Sequence, residues 1–214
     1  MRQLMVLSSG LSTPSSTRNL ADRIADAVTS AVTARGEHLE VETVELQKLI
    51  PDLATFMSTR VSTPRLDDVR RRLSDADGLV AVTPIFQGSY AGLFKMFFDT
   101  LGTDALNGMP TIIAATAGTA RHSLALDYAV RPLLVYLRAN VVPTSVFAAT
   151  EDFASEGDDH ISRAAAQLAT LIVGANPAVG GLAESVLERS SGVDLAENVT
   201  PFAQLLKGHD GTSS

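Results

Sequence analysis

Apolar positions fall into two alternating patterns along the chain. The short continuous run Leu79 to Val82 suits a strand buried on both faces, and residues 3–8 and Thr111 to Ala115 read as further strands. Val141 to Thr150 reads as the last strand, whose Pro143 and Thr144 suit a sheet edge or an irregular start. Residues 39–46, LEVETVEL, alternate between apolar and polar and read as one more strand. Between these runs, apolar residues recur at helical spacing. Leu20, Ile24, Ala27, Val28, Ala31 and Val32 mark one face of a helix over Thr17 to Ala34. Further helices are predicted over 64–76, from Gly92 through Leu93, Met96, Phe97 and Leu101, over 121–139 and over 158–173. Residues 47–63 read as a long connection that closes over one edge of the molecule.

Strand and helix therefore alternate from end to end. That order predicts an α/β fold with a parallel, doubly wound sheet of five strands in order 2-1-3-4-5. Residues 1–175 make this one domain. Residues 176–214 are rich in Gly, Pro, Ser and acidic residues, and read as an irregular tail suited to packing on a partner subunit.

The loops after the first, third and fourth strands meet at one carboxyl edge, where such sheets bind ligands. The first loop and helix start carry Ser9, Ser15, Ser16, Thr17 and Arg18. A hydroxyl-rich loop that opens a helix offers free N–H groups and the positive end of the helix dipole to an anion. Arg18 adds a guanidinium able to pair with a phosphate. The same serines also suit plain N-capping, with Ser15 or Ser16 as the cap. Neither G-x-G-x-x-G nor G-x-x-x-x-G-K-[ST] occurs.

After the third strand, Pro84 lacks an N–H and is expected to stop the ladder at Thr83-Pro84. Pro84, Ile85, Phe86, Gln87, Gly88, Ser89 and Tyr90 then form a loop whose Gln, Ser and Tyr a core would not need. Gly88 is expected either for a positive φ or because a Cβ would intrude on a ligand. After the fourth strand, Thr116, Ala117, Gly118 and Thr119 form a small-residue turn. Gly118 suits either close approach to a flat ligand or a tight strand-to-helix connection.

Composition narrows the partners. The 214 residues carry 17 Lys and Arg against 24 Asp and Glu, a net charge of −7, which argues against nucleic acid. No cysteine is present, which rules out disulfides, thiolate metal sites and thiol catalysis and suits a reducing compartment. No apolar run approaches the ~20 residues of a membrane span. Cytoplasmic location is the expectation. No G-x-S-x-G elbow and no H-E-x-x-H spacing occurs, so neither a serine hydrolase nor a metal site is expected. Pro132 interrupts the predicted helix 121–139, a defect worth ~3 kcal/mol in a helix interior. Kinks and π-bulges of this kind concentrate at functional sites. His122 is a base, a cofactor contact or a structural histidine, and Tyr128 an interface residue or a half-buried core tyrosine.

Two segments carry a family resemblance. TPIFQGSYAGLFKMFFD resembles the stretch T-P-x-Y-x-x-S-Y-x-G-x-L-K-x-x-x-D of NAD(P)H-dependent FMN reductases. Thr83, Pro84, Ser89, Tyr90, Gly92, Lys95 and Asp99 match, and Phe86 stands where that family often has Tyr. His122, Leu124, Ala125, Asp127, Tyr128, Ala129, Arg131, Pro132 and Leu134 are similar to a segment of the alkanesulfonate-type FMN reductases. The stretch Pro14 to Arg18 loosely resembles their phosphate loop. The resemblance covers about residues 3–175. It implies a flavodoxin-like three-layer sandwich with FMN phosphate on the first loop and the isoalloxazine along 84–90 and 116–119. It further implies NAD(P)H as reductant, hydride transfer to flavin N5, and reduced flavin passed to a partner monooxygenase or another acceptor. Assembly as a homodimer or homotetramer through helix 121–139 is implied too. The alternatives are a flavodoxin-like electron carrier, an NAD(P)H quinone or azo reductase with bound FMN, and a non-catalytic binding domain. The flavodoxin phosphate loop T-x-T-G-x-[ST] is absent.

Overall fold

The computed structural model describes residues 1–149, 157–174 and 189–193. In chain order they form β1 (Arg2–Ser8), α1 (Ser16–Thr33), β2 (Leu39–Glu45), α2 (Ile50–Thr59), α3 (Pro64–Asp75), β3 (Gly78–Phe86) and β4 (Ser89–Tyr90). There follow α4 (Gly92–Phe98), β5 (Pro110–Ala117), α5 (Arg131–Tyr136), β6 (Asn140–Val141), β7 (Val146–Ala149) and α6 (Gly157–Gly174).

The strands β2, β1, β3 and β5 lie side by side in parallel, and β6 and β7 both pair in parallel with β5. The expected order holds along this frame. The sheet has 7 strands rather than five, because β4 is a short antiparallel addition and the fifth expected strand is in two pieces. The break follows from Pro143, which has no N–H for the ladder. The guanidinium of Arg131 donates to the carbonyls of Val142 at 3.0 Å and Pro143 at 3.2 Å, so the interrupted backbone keeps partners. Thr150 lies outside the described residues.

Alternate residues of each strand face opposite layers. Leu4, Val6, Val80, Val82, Ile112 and Ala114 pack against α1 and α6. Met5, Leu7, Leu79, Ala81, Ile113 and Ala115 pack toward the side of α2 to α5. Both faces are covered, which is why the strands are continuous apolar runs. At Gly78 a Cβ would stand 2.7 Å from Cδ1 of Ile172, so glycine allows α6 to seat on the start of β3.

Three expectations change. Residues 47–63 are not an open connection: a 3₁₀ turn, Leu46–Leu49, leads into α2. Pro51 and Asp52 stand in the first turn of α2, and Leu49 and Leu53 are buried, so a helix start and an apolar face were both present. Second, β3 does not stop at Thr83-Pro84 but runs on to Phe86. The Val82 carbonyl accepts from Ser9 N at 3.1 Å, so strand alternation turns Pro84 toward the same side, beyond the end of β1. The missing N–H therefore costs no ladder bond. Third, Thr116 and Ala117 belong to β5, with Thr116 paired to Pro84, and not to a turn.

The predicted helix 121–139 is segmented. A 3₁₀ turn spans Ala120–His122 and a π-helical turn spans Leu126–Val130, directly before α5. Pro132 falls in the first turn of α5, where the π turn has already loosened the ladder. Of the tail, residues 189–193 are described, and they lie on α3 of their own chain. Arg189 Nη1 donates to the carbonyls of Ser74, at 3.1 Å, and Ala76, capping the end of α3. Arg70 answers from α3, donating to the Ser191 carbonyl at 3.0 Å. The remaining tail lies outside the described residues. No helix among the described residues is long and apolar enough to cross a membrane.

Arg189→Ala should remove the charged donor from these helix-end carbonyls. The expected cost is about 1.5–3 kcal/mol, the range for hydrogen bonds to charged groups. A thermal melt checks it. An unchanged Tm would mean the segment adds no net stability to α3.

Candidate functional site

The register of the sheet opens a cleft. The pairing of β1 with β3 ends at Ser8 opposite Val82, whereas β3 and β5 stay paired to Pro84 opposite Thr116. Beyond Ser8 the chain turns away as a loop, and the overhanging ends of β3 and β5 border a cleft of about 400 Å³. Its walls are Leu11, Ser12, Ser16 and Thr17 on one side, Pro84, Ile85 and Phe86 on the second, and Thr116, Ala117 and Gly118 on the third. The three loops singled out in the sequence do converge here.

On the first wall, Ser15 is the N-cap of α1, its hydroxyl accepting from Arg18 N at 3.2 Å. Its backbone carbonyl accepts from Asn19 N at 3.0 Å. The backbone N–H groups of Ser16 and Thr17 find no acceptor among the described residues, and no acidic residue stands in the first turn. That helix end is therefore ready for an external anion. Thr17 Oγ1 and Thr116 Oγ1 lie 2.9 Å apart and are buried, tying the helix start to the end of β5. Ser9 lies below the cleft, buried, its hydroxyl donating to the Val82 carbonyl at 3.3 Å.

On the second wall, Phe86 and Ser89 pair across a two-residue hairpin. Gln87 (φ 52) and Gly88 (φ 78) form its tip, both left-handed as a type I′ turn requires. An added Cβ at Gly88 would meet nothing within 4 Å, so φ rather than crowding explains this glycine. Phe86, 49% exposed, presents its ring to the cleft region. Gln87, Gly88 and Ser89 shape this hairpin without lining the cleft. Buried Thr83 braces it, accepting from Ala91 N at 3.0 Å and donating to the Pro84 carbonyl at 3.0 Å. Tyr90 turns elsewhere: its ring lies 5.8 Å from that of Phe94 and borders a second depression, of about 640 Å³, with Tyr128 and Tyr136.

On the third wall, exposed Gly118 has open space around a would-be Cβ. Thr119 caps the following 3₁₀ turn, its hydroxyl accepting from Arg121 N at 3.1 Å. His122 is half-buried and does not line the cleft.

Arg18 does not line the cleft either. Its Nε lies 2.8 Å from Asp22 and its Nη1 3.3 Å from Glu45. Glu45 also receives Lys48 Nζ at 2.7 Å. This hydrogen bond, with the charges of Lys48 and Arg18, holds the Glu45 carboxyl below the usual carboxylate range against an opposing push from burial. Gln47 Nε2 donates to the Leu11 carbonyl at 3.1 Å. Sequence reading missed Leu11 and Ser12, although they lie in the loop it flagged. It also missed Glu45, Gln47 and Lys48, which only the fold brings to this loop.

A doubly wound sheet opening at its switch point into a cleft with an anion-ready helix end defines a flavodoxin-like, nucleotide-binding protein. The chain matches the family described as NADPH-dependent FMN reductase over residues 2–154 and belongs to it. It is 35% identical over 162 residues to the NADH-dependent FMN reductase SfnE of Pseudomonas putida, covering 76% of this chain and 83% of that one. Among solved structures, an oxidoreductase from Corynebacterium diphtheriae is 64% identical with a TM-score of 0.80, covering 82% of this chain and 99% of that one. The NADH:FMN oxidoreductase EMOB, in its apo form, is 26% identical with a TM-score of 0.70, covering 93% and 100%.

The hairpin explanation gives a direct contrast. Gly88→Val should destabilise the protein by about 1–2 kcal/mol, the strain of a left-handed residue with a branched Cβ. Gly88→Asn, which tolerates that φ, should lose far less. Urea melts of both variants check this, and equal losses would remove φ as the reason.

Proposed function

We propose that the cleft between α1, β3 and β5 is where this NAD(P)H-dependent FMN reductase holds its flavin. The observation that carries the reading is the lining itself. It joins free helix-end N–H groups and hydroxyls to an apolar wall, and none of its residues is titratable. That set fits FMN, whose phosphate needs donors and whose ring needs flat contact. Ser12, Ser16 and the amides of Ser16 and Thr17 would receive the phosphate, with Ser15 holding the helix start in shape. Pro84, Ile85 and Phe86 would border the ring, and the open side of Gly118 leaves backbone room beside it. FMN, when bound, would supply the redox chemistry as the acceptor of the nicotinamide hydride. The chain's own residues then have binding and orientation as their task, which agrees with the absence of an acid–base group from the lining.

Arg18 would serve the phosphate by exchanging one of its carboxylate contacts for it. Reduced flavin would pass to a partner monooxygenase or another acceptor in the cytoplasm. The protein would assemble as a homodimer or homotetramer through the face around the π turn, where Leu124, Tyr128, Val135 and Tyr136 are 60%, 79%, 53% and 73% exposed. So large an apolar surface is what an interface buries.

Titration with FMN, followed by NADH and NADPH oxidation with free FMN, tests the core of this reading. In the same assay Arg18→Ala should weaken FMN roughly tenfold, as for a hydrogen bond to a charged group, and leave riboflavin nearly unchanged. Equal losses would place Arg18 away from the phosphate. Light scattering should return a mass above the 22.5 kDa of one chain. Tyr128→Ser with Tyr136→Ser should shift it toward the monomer, and a monomeric parent protein would remove the proposed interface.

A further inference from the structure

Three elements meet beside the anion-ready end of α1. Arg18 comes from the first turn of that helix, next to Thr17 of the cleft wall. Glu45 is the last residue of β2 and stands in register with Ser8, where β1 ends. Lys48 lies in the 3₁₀ turn Leu46–Leu49, whose Leu46 and Leu49 are fully packed into the core. Glu45 and Lys48 are therefore mounted on a rigid base, and Gln47 of the same turn holds the Leu11 carbonyl of the cleft loop.

We propose that Glu45 governs how readily Arg18 reaches the FMN phosphate, and that Lys48 sets the strength of that hold. The inference rests on the reading that Arg18 serves the phosphate. Its geometric basis is one shared oxygen. Glu45 Oε1 lies 3.3 Å from Arg18 Nη1 and 2.7 Å from Lys48 Nζ. The lysine contact is the shorter, so Glu45 keeps a cation when Arg18 leaves. Asp22 grips the other side of the guanidinium, at Nε, and leaves Nη1 as the exchanging corner. Exchange then strands no charge. The side chains of Arg18, Glu45 and Lys48 are 34%, 30% and 67% exposed, so solvent screens the pairs and keeps the barrier to exchange low. A competing carboxylate lowers affinity for the anion, and a lysine that occupies that carboxylate restores part of it.

The experiment is FMN titration of Glu45→Gln, Lys48→Ala and Arg18→Ala, singly and in pairs, with riboflavin as the ligand lacking phosphate. Glu45→Gln should tighten FMN by about two- to fivefold, the range a partly exposed ion pair supports, and leave riboflavin unchanged. Lys48→Ala should weaken FMN by a similar factor. Combined with Arg18→Ala, the gain from Glu45→Gln should vanish. Combined with Glu45→Gln, the loss from Lys48→Ala should shrink.

A gain from Glu45→Gln that persists without Arg18 would mean direct repulsion of the phosphate and would overturn the proposal. So would a Lys48→Ala loss of equal size in both backgrounds, which would make Lys48 a direct phosphate contact. If Arg18→Ala is selective for FMN while Glu45→Gln changes nothing, the exchange idea fails alone. If Arg18→Ala affects FMN and riboflavin alike, the phosphate reading fails and takes this inference with it.

Discussion

The site exists because neighbouring strands end at different heights. β1 leaves the sheet at Ser8, with Ser9 still bonded to the Val82 carbonyl, while β3 and β5 continue side by side. Everything at the carboxyl edge depends on that offset. It frees the side of β3 on which Pro84 sits, so a proline fits inside a central strand. It leaves room for the Ser-rich loop to turn into α1. The bond between the Thr17 and Thr116 hydroxyls closes the arrangement, fixing the helix start against the second overhanging strand. The cleft is thus a gap in a ladder, walled by the strands that did not stop.

The chemistry of the site follows from what the walls lack as much as from what they hold. A reductase that moves a hydride between two nucleotides has no need of a tuned acid or base in its lining. The walls instead carry hydroxyls, a helix end and apolar surface. Charge is set back by a short distance, in the chain of contacts from Asp22 through Arg18 and Glu45 to Lys48. Partly exposed pairs of this sort add little stability. Beside the helix end proposed to receive the phosphate, they would bear on binding more than on folding.

The opposite end of the sheet has another arginine arrangement. Arg189 reaches the last carbonyls of α3 and Arg70 reaches back to Ser191. Burial pushes both guanidinium groups below the usual arginine range, with Asp67 acting against this for Arg70 and Asp77 and Asp75 for Arg189. Backbone carbonyls therefore supply much of what water would otherwise give these groups. This contact ties residues 189–193, which lie beyond the family match over 2–154, to α3.

The sequence by itself determined the class of the sheet. A strand covered on both faces must be apolar throughout, and such runs as Leu4 to Leu7 and Ile112 to Ala115 are legible without a partner in view. The hairpin glycine and the disturbance around Pro132 were legible for the same reason: backbone geometry is a local property. The tertiary structure decided the rest. Whether Pro84 ends a strand depends on where β1 stops, and β1 lies more than seventy positions earlier. Residues 50–59 carry their own helix start in Pro51 and Asp52, and the fold adds the core surface that buries Leu53. Arg18 stands out in the sequence as a charge at the start of a helix, but its partner Glu45 arrives from the end of another strand. Contacts between residues distant in sequence leave no local pattern, and the walls of this cleft consist mainly of such contacts.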